Sequence, residues 1–280
     1  MRVRFSFSMK KSGKFRKSPF TNKHHLGFPK LVRDVIRTSD IILEVLDARF
    51  IDKTRNKEIE QIVLAQGKKV IYILNKIDLI NINDLKRDYD LTSIMPYVLL
   101  SCKLRVGLGK LRERVKIEVK RLKMKGKRAR VGVIGYPNTG KSSLINLLSG
   151  RASTRTSAES GFTKAMQKIR FNKDIVILDT PGVFQEKENT ETKAFALKKH
   201  AEIGVKTYDK VKNPDLVINS LMIQYPGKIE KFYGIESNGD VEVLLEKIGE
   251  RMNYRKKGNE IDLDRAARHV LKAWQEGKIK

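Results

Sequence analysis

A doubly wound α/β sheet followed by a smaller all-helical domain is the fold class that this 280-residue sequence predicts. Three observations carry the prediction. Apolar runs of strand length alternate with stretches of helical periodicity, the pattern of a sheet with helices on both faces. The stretch GYPNTGKS at Gly135–Ser142 follows an apolar strand and opens an apolar-periodic helix, the context of a phosphate-binding loop. Beyond about residue 190 the strand signal stops and only helical periodicity remains.

The elements follow in order. Residues 1–22 are basic, Ser-rich and aperiodic. Pro29–Thr38 reads as a helix, with Leu31, Val32, Val35 and Ile36 on one face. Ile41–Leu46 is an apolar run with Glu44 as its one polar residue, which fits a parallel strand buried on both faces. A helix over Asn56–Ala65 leads to a strand over Val70–Leu74, which delivers Asn75 at its carboxyl end. The next strand, Tyr97–Leu100, ends at Ser101. Leu108–Met124 is predicted as a long helix with Leu108, Leu111, Val115, Val119 and Leu122 in one stripe. Its other face carries Arg112, Arg114, Lys116, Lys120, Arg121 and Lys123, with Glu118 as an acid among them, and continues into Lys125, Lys127, Arg128 and Arg130. This run is either a solvated face or, the reading favoured here, a phosphate-contacting patch. Val131–Ile134, Gln167–Phe171 and Ile175–Leu178 complete the strands, with a helix over Lys141–Leu148. Thr192–Tyr208, Pro214–Met222, Val241–Met252 and Asp262–Gly277 are the helices of the second part, and no internal repeat is visible.

A net charge of +27 exceeds what solubility requires and points to a polyanionic partner, with nucleic acid as the leading class. Lys-rich surfaces of heat-adapted proteins are the alternative, but those are ordinarily balanced by Glu. Cys102 is the sole cysteine, which excludes an intrachain disulfide and argues against a structural zinc site. No apolar run approaches membrane-spanning length, so a membrane role is not expected. A cytoplasmic location and a monomeric state are separate expectations. The basic N-terminal stretch reads as a solvated, RNA-seeking tail, with an organelle transit peptide as its alternative.

The nucleotide chemistry is spread over four loops. In the phosphate loop, Gly135 and Gly140 let the backbone approach phosphates; Pro137 shapes the loop, and the N–H groups from Asn138, Thr139 and Gly140 to Lys141, Ser142 and Ser143 meet their charge. Lys141 is expected to bridge β- and γ-phosphates and Ser142 to hold Mg²⁺. Asp179-Thr180-Pro181-Gly182 ends a strand, placing Asp179 as the acidic group of the Mg²⁺ site and Gly182 as the γ-phosphate sensor. Thr163, between these two motifs, is the candidate switch threonine that closes on Mg²⁺. Asn75-Lys76-Ile77-Asp78 reads as a guanine-specificity motif: the Asp78 carboxylate accepts from guanine N1–H and N2–H₂ together, a pair that adenine lacks, and the Lys76 stem covers the base. Ser101-Cys102-Lys103 is its companion at the next strand end, with Cys102 a small residue at a base-edge turn rather than a reactive thiol.

In ordinary Ras-like GTPases the phosphate loop comes first; here the base reader precedes it, the order of a circularly permuted GTPase. Together these motifs resemble the YlqF/YawG family, whose members act in assembly of the large ribosomal subunit. Asp47-Ala48-Arg49 with Arg55-Asn56 resembles the family's signature after the first strand, although Ile51 stands where a proline is usual. Gly135–Asn146 is close to the family's phosphate loop, and Ile261–Ala267 with Gly277-Lys278-Ile279 resembles the C-terminus of archaeal and eukaryotic members. The resemblance implies a GTPase domain over 23–188, a helical RNA-binding domain over 189–280, GTP/GDP and Mg²⁺ as ligands, and rRNA of the large subunit or its precursor as partner. Val183 follows Gly182 where many relatives of Ras place a water-orienting glutamine, so slow intrinsic hydrolysis is expected. Two substitutes are in view: K⁺ held by Asn138, whose alternative role is to shape the loop, and His24, near where some members carry a catalytic histidine. Lys141, Thr163, Gly182 and His24 are thus the candidate catalytic set. A GTP-gated RNA scaffold or chaperone with incidental hydrolysis is the rival reading.

Overall fold

The computed structural model describes residues 30–124, 127–149, 167–179, 201–204 and 206–279. In chain order the first part holds α1 (Lys30–Thr38), β1 (Ile41–Asp47), α2 (Ile51–Thr54), α3 (Lys57–Ala65), β2 (Lys69–Asn75), α4 (Ile82–Asp88), β3 (Tyr97–Leu99), α5 (Leu108–Arg121), β4 (Ala129–Gly135), α6 (Lys141–Ser149), β5 (Gln167–Arg170) and β6 (Ile175–Asp179). The strands form one six-stranded sheet in the order β3-β2-β1-β4-β6-β5. All neighbours run parallel except β5, which pairs antiparallel with β6 at the edge.

β1 sits between β2 and β4, and all seven of its residues are buried. The period of two along a strand sends alternate side chains to opposite faces. Ile42 and Leu46 join Val32 and Ile36 of α1, Ile59 and Val63 of α3, and Val70, Tyr72 and Leu74 of β2 on one side. Ile41, Leu43 and Val45 join Ile71 and Ile73, Val131 and Val133, Leu111 and Val115 of α5, and Leu144, Ile145 and Leu148 of α6 on the other. Two layers of helix therefore enclose one sheet, and at about 1.5–3 kcal/mol per fully buried large aliphatic side chain these two clusters dominate the first part's stability.

The second part contains α7 (Pro214–Gln224), α8 (Lys228–Tyr233), α9 (Val241–Arg251) and α10 (Leu263–Gln275). Side-chain caps start two of them: Asp240 accepts from the Glu242 and Val243 amides, and Asp262 from that of Arg265. Their apolar faces close on Ile218, Leu221, Leu244, Leu245, Ile248, Val270, Leu271 and Trp274. Phe50 and Tyr136, both from the sheet part, belong to this same cluster.

Three sequence expectations need adjustment. The helix over Leu108–Met124 ends at Arg121, where the Leu122 and Lys123 amides turn back to Val119 and Lys120. Glu118 is not part of the exposed basic face: it is 4% exposed, paired with Arg121 at 3.0 Å and with Arg114 at 3.6 Å, and the exposed acid on that helix is Glu113. The short helices α2, α4 and α8 were not predicted, because one or two turns do not express a periodicity. The helix expected over Thr192–Tyr208 lies largely outside the described residues; Ala201 and Glu202 are helical, and Tyr208 begins a separate 3₁₀ turn. No helix among the described residues is long and apolar enough to cross a membrane.

Candidate nucleotide-binding site

In an open α/β sheet, ligands bind beyond the carboxyl ends of the strands. Here those ends carry Asp47 (β1), Asn75 (β2), Gly135 (β4) and Asp179 (β6), on neighbouring strands, and β3 leads into Ser101. Parallel registers pair Asp47 with Asn75, and Val133 with Asp179. The base motif and the phosphate motif are thus brought to one edge of the sheet, although the base motif is earlier in the chain.

Asn75 joins the loops. Its side chain is 2% exposed. Its Nδ2 donates to the Thr139 carbonyl at 2.7 Å, and its Oδ1 accepts from the Cys102 amide at 3.1 Å. Sequence reading grouped Asn75 with the nucleotide contacts; its amide spends both ends on protein, fixing phosphate loop and base loop to each other. Room for this comes from Gly140, at φ +100°, where a Cβ would stand 2.1 Å from Asn75 Nδ2. Any side chain there would break the bridge.

Asp78 sits in a 3₁₀ turn after Lys76, which adopts a left-handed φ of 66°. The Ser101 hydroxyl donates to Asp78 Oδ1 at 2.6 Å and itself accepts from the Leu104 amide at 3.0 Å. One carboxylate oxygen is therefore oriented by the companion loop. The Lys76 ammonium lies 2.8 Å from Asp47 Oδ2, and Arg49 clasps the same carboxylate through Nε at 3.0 Å and Nη2 at 2.8 Å. Burial alone would raise the Asp47 carboxyl, but the Lys76 ammonium and then Arg49 outweigh it and hold it below the ordinary range. The Cys102 thiol is pushed up to about 12, first by burial and then by the charge of Asp78, which keeps it protonated and unreactive.

In the phosphate loop Lys141 is 6% exposed and its Nζ donates to the Tyr136 carbonyl at 2.7 Å, which the Thr139 hydroxyl also reaches at 2.8 Å. Pro137 is buried; Ser142 and Ser143 lie half-buried in the first turn of α6. Asn138, at a left-handed φ of 60°, donates its side-chain amide to the Gly204 carbonyl. Lys103 is exposed at the rim.

The helical part touches this site at several points that sequence reading missed. The Tyr136 ring is buried in the helical cluster, Arg49 Nη1 donates to the Trp274 carbonyl at 3.2 Å, and Lys53 pairs with Glu202. A family signature around Asp47 and Arg49 was the only sequence signal for any of these. His24, Thr163 and Gly182 lie outside the described residues, and of Asp179 only the backbone is described. Among the described residues no group of three His, Cys, Asp or Glu side chains comes together as a metal site, and Ser142 is the described member of the expected Mg²⁺ set. A groove of about 1170 Å³ lined by Phe50, Tyr89, Tyr225 and Trp274 lies behind the base loop and includes no phosphate-loop residue.

Residues 130–233 match the family described as 50S ribosome-binding GTPase. Over 254 residues the chain is 38% identical to an uncharacterized GTP-binding protein, MJ1464, of Methanocaldococcus jannaschii, covering 89% of this chain and 65% of that one. Ribosome biogenesis GTPase A of Priestia megaterium is 28% identical over 262 residues, 89% of each chain. GDP-bound YlqF of T. maritima superposes with a TM-score of 0.60 at 24% identity, over 88% of this chain and 94% of that one. The chain has the P-loop GTPase fold of YlqF and is similar in sequence to GTP-binding proteins. It spans about half the length of several curated relatives, such as 40% of nucleolar GTP-binding protein 2 of Neurospora crassa, to which it is 31% identical over 88% of this chain. What separates this YlqF-like fold from a simple permutation is the helical part seated directly on its phosphate and base loops.

Proposed function

We propose that this chain binds GTP, hydrolyses it slowly to GDP and phosphate, and acts as an assembly factor on rRNA of the large ribosomal subunit. The observation that carries the reading is the continuous path Asp78–Ser101, Cys102–Asn75–Thr139, which makes one rigid unit of the base reader and the phosphate loop. Asp78 selects guanine through its two acceptor oxygens, and Lys76, steadied by Asp47, covers the base. Lys141 leaves the Tyr136 carbonyl for the β- and γ-phosphate oxygens, and the N–H groups of Asn138–Ser143 complete the cradle. The donors fit Mg²⁺ in part: Ser142, with Thr163 and Asp179, would hold it, and the ion would neutralise phosphate charge. Gly182 senses the γ-phosphate. With Val183 unable to orient water, K⁺ at Asn138 or the imidazole of His24 takes that part.

The helical domain, placed over 189–280, carries the RNA reading together with the exposed Arg112, Lys116, Lys120, Arg121, Lys127 and Arg128 and the basic segment 1–22. Such contacts are electrostatic, so affinity falls steeply with salt. We expect a cytoplasmic monomer.

The test is base exchange. Asp78→Asn should shift preference from GTP to xanthosine triphosphate, because the amide complements the xanthine carbonyl, while Lys141→Ala should lose tight binding of both. Wild-type protein that binds ATP as tightly as GTP would end the reading. The ribosomal part of the proposal is read by co-sedimentation with the large subunit, expected to be stronger with a GTP analogue than with GDP.

A further inference from the structure

The last turn of α10 ends beside the base reader. Gly277 has a left-handed φ of 70°, and the amides of Gly277 and Lys278 donate back to the Trp274 and Ala273 carbonyls, both at 2.9 Å. A Cβ on Gly277 would stand 2.7 Å from Leu79 Cδ1, and Leu79 directly follows Asp78. Glu276, Gly277 and Lys278 line a cavity of about 540 Å³ whose other walls are Asp78, Leu79, Lys103 and Leu104, the residues of the two base-reading loops. That volume is within the usual range for a small-ligand site. The same turn is anchored from below: Arg49 holds the Trp274 carbonyl with one nitrogen and Asp47 with the others, and Asp47 also holds Lys76.

We propose that Glu276–Lys278 is the outer wall of the guanine pocket, so that base binding and the seating of this turn are one coupled equilibrium. The inference rests on Asp78 being the base reader. A filled pocket gives the turn a second surface to pack on, and a seated turn shields the Asp78 hydrogen bonds from water. Coupling of this kind is reciprocal: nucleotide holds the turn by the factor with which the turn holds nucleotide. Because GTP and GDP share the base, the wall responds to whether the site is filled, whereas the switch responds to the γ-phosphate.

The experiment uses the full chain. Gly277→Val forces a side chain against Leu79, and Leu79→Ala removes the same contact without touching the backbone. Dissociation constants for fluorescent GDP and a non-hydrolysable GTP analogue are measured for both variants, and hydrogen exchange at the Gly277 and Lys278 amides is followed in the wild type. Both variants should weaken GDP and the analogue by the same factor, about five-fold. GDP should slow exchange at those amides by a similar factor, and Mg²⁺-pyrophosphate, which lacks a base, should not. Unchanged affinities in both variants, loss for the analogue alone, or equal protection by pyrophosphate would overturn the wall while leaving the guanine site intact. Wild-type protein that binds no guanine nucleotide would instead overturn the site and the wall together.

Discussion

Three residues apart on β1, Glu44 and Asp47 are both buried carboxyls, and their surroundings drive them in opposite directions. Glu44, 0% exposed, is pushed up to about 8, first by burial and then by the charge of Glu60. The Asn56 amide donates to it at 3.0 Å, but the nearby cation, Arg55, is clasped to Glu60 at 2.6 and 2.8 Å, where the Tyr72 hydroxyl also donates. Two carboxyls share one guanidinium, so one of them keeps a proton. At Asp47 one carboxylate has both Lys76 and Arg49. Burial is similar; the count of cations decides. The ionised member stands at the ligand end of the strand, where it ties base loop to helical part, and the protonated member lies in mid-strand, where it serves packing.

The strongest way to break this contrast is Asp47→Asn, which leaves two cations facing a neutral amide. Removing one partner of a buried ion pair costs about 3–5 kcal/mol, so a loss of roughly 3 kcal/mol in denaturant unfolding is expected. A loss under about 1 kcal/mol would mean that Asp47 is not the hub described. Glu44→Gln probes the other side through pH. Between about pH 4.5 and 8 the folded state keeps a proton that the unfolded chain has released, so this group's contribution is present at low pH and is lost as pH rises. The variant should lack that slope and be more stable than wild type at pH 8, by on the order of 2 kcal/mol. Identical pH profiles would show Glu44 ionised in the fold. The smallest effect extends the same logic to Cys102, whose thiol is kept protonated by burial and by Asp78. Iodoacetamide at pH 8 should leave folded protein unlabelled while labelling it rapidly in guanidinium; rapid labelling of the folded form would refute the protonated, part-buried thiol.

Much of the sheet was legible because a strand buried on both faces is largely apolar, and Val70–Leu74 and, Glu44 apart, Ile41–Leu46 are. The phosphate and base loops were legible because backbone approach and guanine selection constrain residue type at fixed spacing. The motif names Asn75, and only the packing shows Thr139 and Cys102 at the two ends of its amide. Arg49 with Trp274, and Leu79 with Gly277, are pairs whose members lie in opposite parts of the chain. No periodicity links such residues, so the seating of the helical part could not be read before the fold was known. Glu118 misled for a related reason: helical spacing gives a face but not that its acid lies buried beneath two more exposed arginines.

The central place of β1 has a consequence for how the chain is made. β1 is flanked by β2, which follows soon after, and by β4, which is separated from it by β2, β3 and α5. At about 5–20 residues per second, a ribosome takes several seconds to deliver β4 after β1. Through that interval the nascent base-reading half presents the bare edge of a strand that is buried throughout in the finished fold, an invitation to mispairing. Permutation, by making the central phosphate-loop strand arrive late, thus turns a question of topology into one of timing, and gives slow translation or an early chaperone a specific strand to protect.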